Sequence, residues 1–173
     1  MPSGPAGIKR GNRLVISGRT RHALAMDLYR PNVALLLRDS SGRLLVCERS
    51  DWPGSWQFPQ GGIANGESPL EALWREAREE IGLLPRQYRV RSSRGPYRYL
   101  FHGSKIKDGC NGQEQTYFLA DLAVPAFNPA FGPDPEFQAA RWLTPSEIPM
   151  DCVPSMKREV YARVLADFFG TER

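Results

Sequence analysis

Residues Gly61–Leu83 read GGIANGESPLEALWREAREEIGL, and this stretch decides how the rest of the chain is read. Ser68, Pro69 and Glu71 make a helix start, with serine as the cap, proline at the first helical position and a glutamate placed to reach back to the cap. The spacing predicts a helix running to about Ile81 and stopping at Gly82, which tolerates the left-handed backbone of a helix end. Leu70, Leu73, Trp74, Ala77 and Ile81 recur at helical spacing and predict one buried stripe. Glu76, Glu79 and Glu80 are then expected together on the opposite side, three carboxylates on one face.

Such a face is unfavourable by itself. Glu76 and Glu80 stand four apart, which destabilises a bare helix by roughly 0.2–0.5 kcal/mol. A divalent cation reverses the sign: Mg²⁺ takes hard oxygen ligands, keeps some waters, and suits clustered carboxylates combined with substrate phosphates, with Mn²⁺ as the alternative. Arg75, four before Glu79 and four after Glu71, is placed to orient these acids by ion pairing. An acidic helix alone reads as a solvated charged surface. Here the spacing extends beyond the helix, to Gly61 and Glu67.

The complete spacing is G-x5-E-x7-R-E-U-x-E-E-x-G-U, with U aliphatic, and it is met at every defined position. It resembles the signature of the Nudix hydrolases, and an accidental match is on the order of 10⁻⁸ per start at roughly one chance in fifteen for each fixed residue. The resemblance implies metal-assisted hydrolysis of a diphosphate linked to another group. It also implies an α/β fold, the α/β/α sandwich with a mixed sheet between helices. Tyr29-Arg30-Pro31-Asn32-Val33, Trp56-Gln57-Phe58-Pro59-Gln60-Gly61-Gly62-Ile63, Pro135-Glu136-Phe137 with Arg141-Trp142, and Lys157-Arg158-Glu159-Val160-Tyr161 narrow it further. They resemble the bacterial RNA pyrophosphohydrolases and the diadenosine tetraphosphate hydrolases, over residues 29–169.

Roles follow from that resemblance. Glu76, Glu79, Glu80 and Glu136 would ligate metal, with the Gly61 carbonyl as a further ligand and Glu67 supporting the site. Arg30 and Lys157 would hold phosphate, one as a fork and the other as a point charge, with Gln60 as a further substrate contact and Arg49 either another or a solvated charge on a loop. Tyr99 would either stack on a base or pack into the core. Catalysis would fall to Arg75 and to a glutamate base among Glu79, Glu76, Glu114 and Glu136. Two departures from the relatives bear on substrate: Gly112-Gln113-Glu114-Gln115-Thr116-Tyr117-Phe118 lacks two lysines and a tryptophan, and Met156 replaces an aromatic.

The expected substrate is the 5′ end of tri- or diphosphorylated RNA, with a dinucleoside polyphosphate such as diadenosine tetraphosphate as the alternative. A pI near 9.1 favours RNA. A nucleotide sensor that does not cleave is the contrasting class, and it would be expected to have lost box acids that this chain keeps.

The remaining sequence frames this segment. A chain of 173 residues with ordinary apolar and charged fractions fits one domain, here 29–173. Residues 1–28 read as a flexible basic arm, with Lys9, Arg10, Arg13, Arg19 and Arg21 and no acid before Asp27. Cys47, Cys110 and Cys152 lack metal or disulfide spacing, which points to a reducing, cytoplasmic setting. No apolar run is long enough to span a membrane and no stable protein partner is indicated. Strands are expected at Asn32–Leu37, Arg43–Glu48, Tyr88–Ser92, Arg98–His102, Thr116–Ala123 and Gln138–Leu143, and a last helix near Lys157–Phe169.

Overall fold

Strand β1 (Tyr29–Arg38) is the axis of the protein. Val33–Leu37 is a continuous apolar run buried on both sides, as a central strand requires. The structure is a computed structural model that describes residues 27–170. The basic arm expected at residues 1–28 therefore lies outside the described residues, apart from its last two. These two are tied down by Asn111, whose side chain accepts from the Leu28 N–H at 2.7 Å and donates to Asp27 at 3.0 Å.

The other strands are β2 (Leu44–Arg49), β3 (Trp56–Gln57), β4 (Gln60–Gly62), β5 (Tyr88–Leu100), β6 (Gly112–Leu122) and β7 (Phe137–Leu143). They form one sheet in the order β3-β2-β1-β6-β5, with β4 joined to β1 and β7 to β2. β1 runs parallel to β6, from Tyr29 opposite Gly112 to Arg38 opposite Asp121. The remaining pairings of named strands are antiparallel, so the sheet is mixed.

Alternation along β1 assigns each face a helix. Val33, Leu35 and Leu37 join Ala72, Leu73, Ala77 and Ile81 of α1 (Pro69–Ile81). Ala34 and Leu36 join Val160, Tyr161 and Val164 of α2 (Arg158–Phe169). This is the expected α/β/α sandwich. Each large aliphatic side chain so buried contributes about 2 kcal/mol relative to exposure.

Three expectations change. The two strands foreseen at Tyr88–Ser92 and Arg98–His102 are one strand, whose register shifts near Val90 and again between Arg94 and Tyr97. Pro96 cannot donate to a ladder, so the sequence reads as a break where the sheet instead accommodates an irregularity. Trp74 is not in the buried stripe but 40% exposed. Glu80, expected with Glu76 and Glu79 on the solvent side, is only 8% exposed. The reason is helical geometry: Glu80 follows Leu73 by seven residues, about two turns, so it lies almost in line with that core leucine.

The cysteines are all free, with Cys47 buried. Among the described residues no helix is long and apolar enough to cross a membrane.

Candidate active site

The start of α1 is fixed as its residues dictate. The Ser68 N–H donates to the Glu71 carboxylate at 2.8 Å, Glu71 N–H donates back to Ser68 Oγ at 3.3 Å, and Gly82 closes the helix with φ 70°. Glu71 is thereby committed to the cap, not to Arg75. The Arg75 guanidinium instead gathers four other groups. It makes two bonds of 2.9 Å to Glu67, one of 2.7 Å to Glu76, one of 3.3 Å to Glu79 and one of 2.8 Å to the Gly62 carbonyl. Those bonds, with the Ala64 N–H, hold the Glu67 carboxyl down to about 2. Glu67 thus anchors Arg75, and Arg75 sets the positions of Glu76 and Glu79.

Gly61 and Gly62 let backbone approach charge. A Cβ on Gly61 would overlap the Glu76 carboxylate, and one on Gly62 would overlap the Arg30 guanidinium. Strand β4 is therefore held directly against Glu76 and Glu80 of α1. Burial pushes the Glu76 carboxyl up, with Arg75 pulling the other way. Glu80 is more extreme: burial first, then the Glu136 and Glu76 carboxylates, raise it well above the usual range. One Glu80 oxygen accepts from the Gln60 N–H at 2.9 Å, while Oε1 is buried without a partner.

Two adjoining cavities meet at Glu76 and Glu136, which line both. The first, of about 370 Å³, carries cations: Arg30, Arg49, Lys105, Lys107 and Lys157. The second, of about 410 Å³, adds Glu79, Glu80 and Asp134. An anionic chain of phosphates is thus matched on one side, and a cation on the other. Among the described residues no three acids are already drawn into a finished ligand cage. The donor set nevertheless fits a hard divalent cation, because it is all oxygen, includes the orphaned Glu80 Oε1, and is crossed by a glycine where any side chain would intrude.

Lys157 is buried and donates to Gln57 Oε1 at 2.8 Å and Gln60 Oε1 at 2.9 Å. Burial, and then Arg49, lower its ammonium to about 7. It stands at the start of α2, which is locked in place by Tyr161: that hydroxyl accepts from the Phe58 N–H at 2.9 Å and the ring stacks on Phe58 at 4.8 Å. Arg30 pairs with Asp108 at 2.7 Å. Arg49, read from sequence as a substrate contact or a solvated loop charge, bridges Asp51 at 2.6 Å and Glu136 at 2.9 Å and so orients the latter.

The structure brings together Arg30, Arg49, Gln60, Gly61, Glu76, Tyr99, Glu136 and Lys157 in the first cavity. Tyr99 lines it, but at 8% exposure, with its hydroxyl bonded to Gln113 and Lys157 over its ring, it is packed in place and offers no open stacking face. Glu114 stands apart: it is paired with Arg98 at 2.6 Å and lines neither cavity. Its alternation along β6 explains this, since Gln113 and Gln115 on either side are the buried residues. Sequence reading missed Gln57, Lys105 and Lys107. Gln57 lies within the Trp56–Ile63 segment and was open to assignment; the lysines sit in the β5–β6 loop, where spacing follows no template.

Comparison with known proteins bears on this arrangement. The sequence model of the NUDIX domain matches residues 28–168. A Marinomonas protein named RNA pyrophosphohydrolase is 39% identical over 150 residues, which are 82% of this chain and 91% of that one. A protein of the same name from Photobacterium profundum is 40% identical over 149 residues, 82% and 84% of the two chains. Among solved structures, an E. coli dihydroneopterin triphosphate pyrophosphohydrolase superposes with a TM-score of 0.63 at 18% identity, covering 82% of this chain and 97% of the other. A C. elegans Ap4A hydrolase complex gives 0.60 at 19% identity, with 82% and 99% covered. The two structures bear on the fold alone.

Proposed function

This chain belongs to the NUDIX domain family, and from that premise we propose that it is a pyrophosphohydrolase acting on the 5′ end of RNA, removing pyrophosphate or phosphate to leave a 5′ monophosphate. Two findings support the reading. The relatives that carry this name align over most of both chains. The observation that carries it is the pair of cavities meeting at Glu76 and Glu136, cations in one and carboxylates in the other.

Glu79, Glu80 and Glu136, with the Gly61 carbonyl, would hold the cation, which we take to be Mg²⁺ or Mn²⁺. When bound, such a cation neutralises phosphate charge and acidifies a water. Lys157, Arg30 and Arg49 grip the non-reacting phosphate oxygens and fix the chain in line for attack. Glu76 takes the proton of the attacking water, because it faces the phosphates and burial raises its affinity for a proton. The water oxygen bonds to phosphorus as the phosphoanhydride bond breaks, and pyrophosphate or phosphate departs with the electron pair. Arg75 keeps Glu76 aimed throughout.

A dinucleoside polyphosphate offers the same phosphate chain between two nucleosides, so substrate choice is tested by rates. Measured side by side, kcat/KM should be highest on 5′-triphosphate RNA, lower on diadenosine tetraphosphate and lowest on nucleoside triphosphates. RNA ranking last would overturn the substrate assignment while leaving the family chemistry intact.

A further inference from the structure

The seam between α2 and β5 carries three cation–aromatic pairs in file. Lys157 Nζ lies 5.7 Å from the Tyr99 ring centre, the Arg163 guanidinium 5.7 Å from Tyr97, and that of Arg94 5.6 Å from Phe168. Residue numbers rise along α2 as they fall along β5, so the pairs are successive rungs leading away from the phosphate cavity. From Lys157 to Phe168 is about 16 Å at the helical rise. Beside the first rungs a groove of about 280 Å³ shares Tyr99 and Met156 with that cavity, and Tyr29, Arg98 and Arg163 extend it outward.

The charge here is open to a ligand. Arg91 and Arg98 on β5 are tied to Asp121 and Glu114. Arg94 and Arg163 are exposed and form no ion pair among the described residues, each resting on its ring. A guanidinium stacked on an aromatic keeps its N–H edge free to bind phosphate. Two acids face the seam: Glu159 lines the groove, and Asp167 accepts from the Tyr97 hydroxyl at 2.7 Å.

We propose that this seam is a track for the RNA chain downstream of the reacting 5′ end, with Arg163 and Arg94 meeting successive phosphates and Tyr29, Arg98 and Met156 flanking the first bases. The proposal rests on the RNA reading given above. A linear polyanion fits because the cations are spaced along a line that begins at the phosphate cavity, and alternating aromatic and cationic groups are what single strands use.

The test compares wild type with the Arg94→Ser/Arg163→Ser double variant on unpaired 5′-triphosphate RNA, as a dinucleotide and at about ten nucleotides, a length within reach of ordinary single-strand sites. Wild type should prefer the longer RNA. The variant should lose about five- to tenfold in kcat/KM on it, as two exposed phosphate contacts imply, and at most about threefold on the dinucleotide, which has a single internucleotide phosphate, while an unchanged thermal unfolding curve certifies its fold. Its salt dependence should flatten by about 1.4 in log–log slope, ~0.7 per phosphate contact. Equal loss on both lengths, or none on either, overturns the track. If wild type hydrolyses neither RNA, the substrate reading has failed separately, and binding of a labelled 5′-monophosphate RNA then decides: weaker binding by the variant upholds the track and unchanged binding rejects it.

Discussion

Replacing Glu80 by Gln is expected to cost about three orders of magnitude in turnover while raising the melting temperature of the cation-free protein. Three orders correspond to about 4 kcal/mol of lost transition-state stabilisation, in the range assigned to metal-ion catalysis. Stability moves the other way because Glu80 is a buried carboxyl with one oxygen unpartnered and two like charges beside it. Its folded value is raised above the unfolded one. The stability it allows is therefore fully present below the usual carboxylate range and is lost as pH rises through the raised value. Gln is uncharged throughout, keeps the bond from the Gln60 N–H and offers a donor toward Glu136. At neutral pH the variant should melt a few degrees higher, at about 2–4 °C per kcal/mol for a chain of this size. Millimolar divalent cation should stabilise wild type and not the variant. An active variant, or one that melts lower without cation, contradicts the role given to Glu80.

Lys157→Met is expected to lower kcat/KM by about 100-fold, the ~3 kcal/mol typical of a hydrogen bond to a charged group. Methionine matches the buried stem and removes only the charge and its donors. The pH profile separates this from a packing fault. Lys157 titrates near 7 in the folded protein, against an ordinary 10.5. Below 7 it is charged in both states and its burial costs the fold most, and between 7 and 10.5 the unfolded chain holds the extra proton. Stability of substrate-free wild type should therefore rise with pH across that window, and the variant should lack the rise. Over the same window but with the opposite sign, wild-type kcat/KM should fall above pH 7 as the ammonium proposed to grip phosphate is lost, whereas the variant has no such limb. Superimposable profiles would show that Lys157 does not hold phosphate.

The fold was legible where local chemistry and tertiary packing agree. Ser68, Pro69, Glu71 and Gly82 set the ends of α1 because caps are decided by neighbours in sequence. The apolar run Val33–Leu37 marks a central strand because burial on both faces leaves no polar position. Legibility failed where a residue's environment comes from elsewhere. Glu80 looks like one of three surface acids until its seven-residue offset from Leu73 is counted, and then the core claims it. Pro96 resembles a strand end, yet β6 carries β5 past it. Glu114 reads as a site acid by its segment, but β6 alternation turns it toward Arg98. Lys105 and Lys107 belong to a connecting loop, so only the fold reveals that they line the first cavity.

The chemical claim is most directly tested by product analysis on RNA carrying a labelled 5′ triphosphate, with divalent cation and with chelator. The account predicts release of pyrophosphate or phosphate, a 5′-monophosphate end on an otherwise intact RNA, and no reaction in chelator. Release of mononucleotides from the chain, undiminished reaction in chelator, or no phosphate product from RNA at all would contradict it.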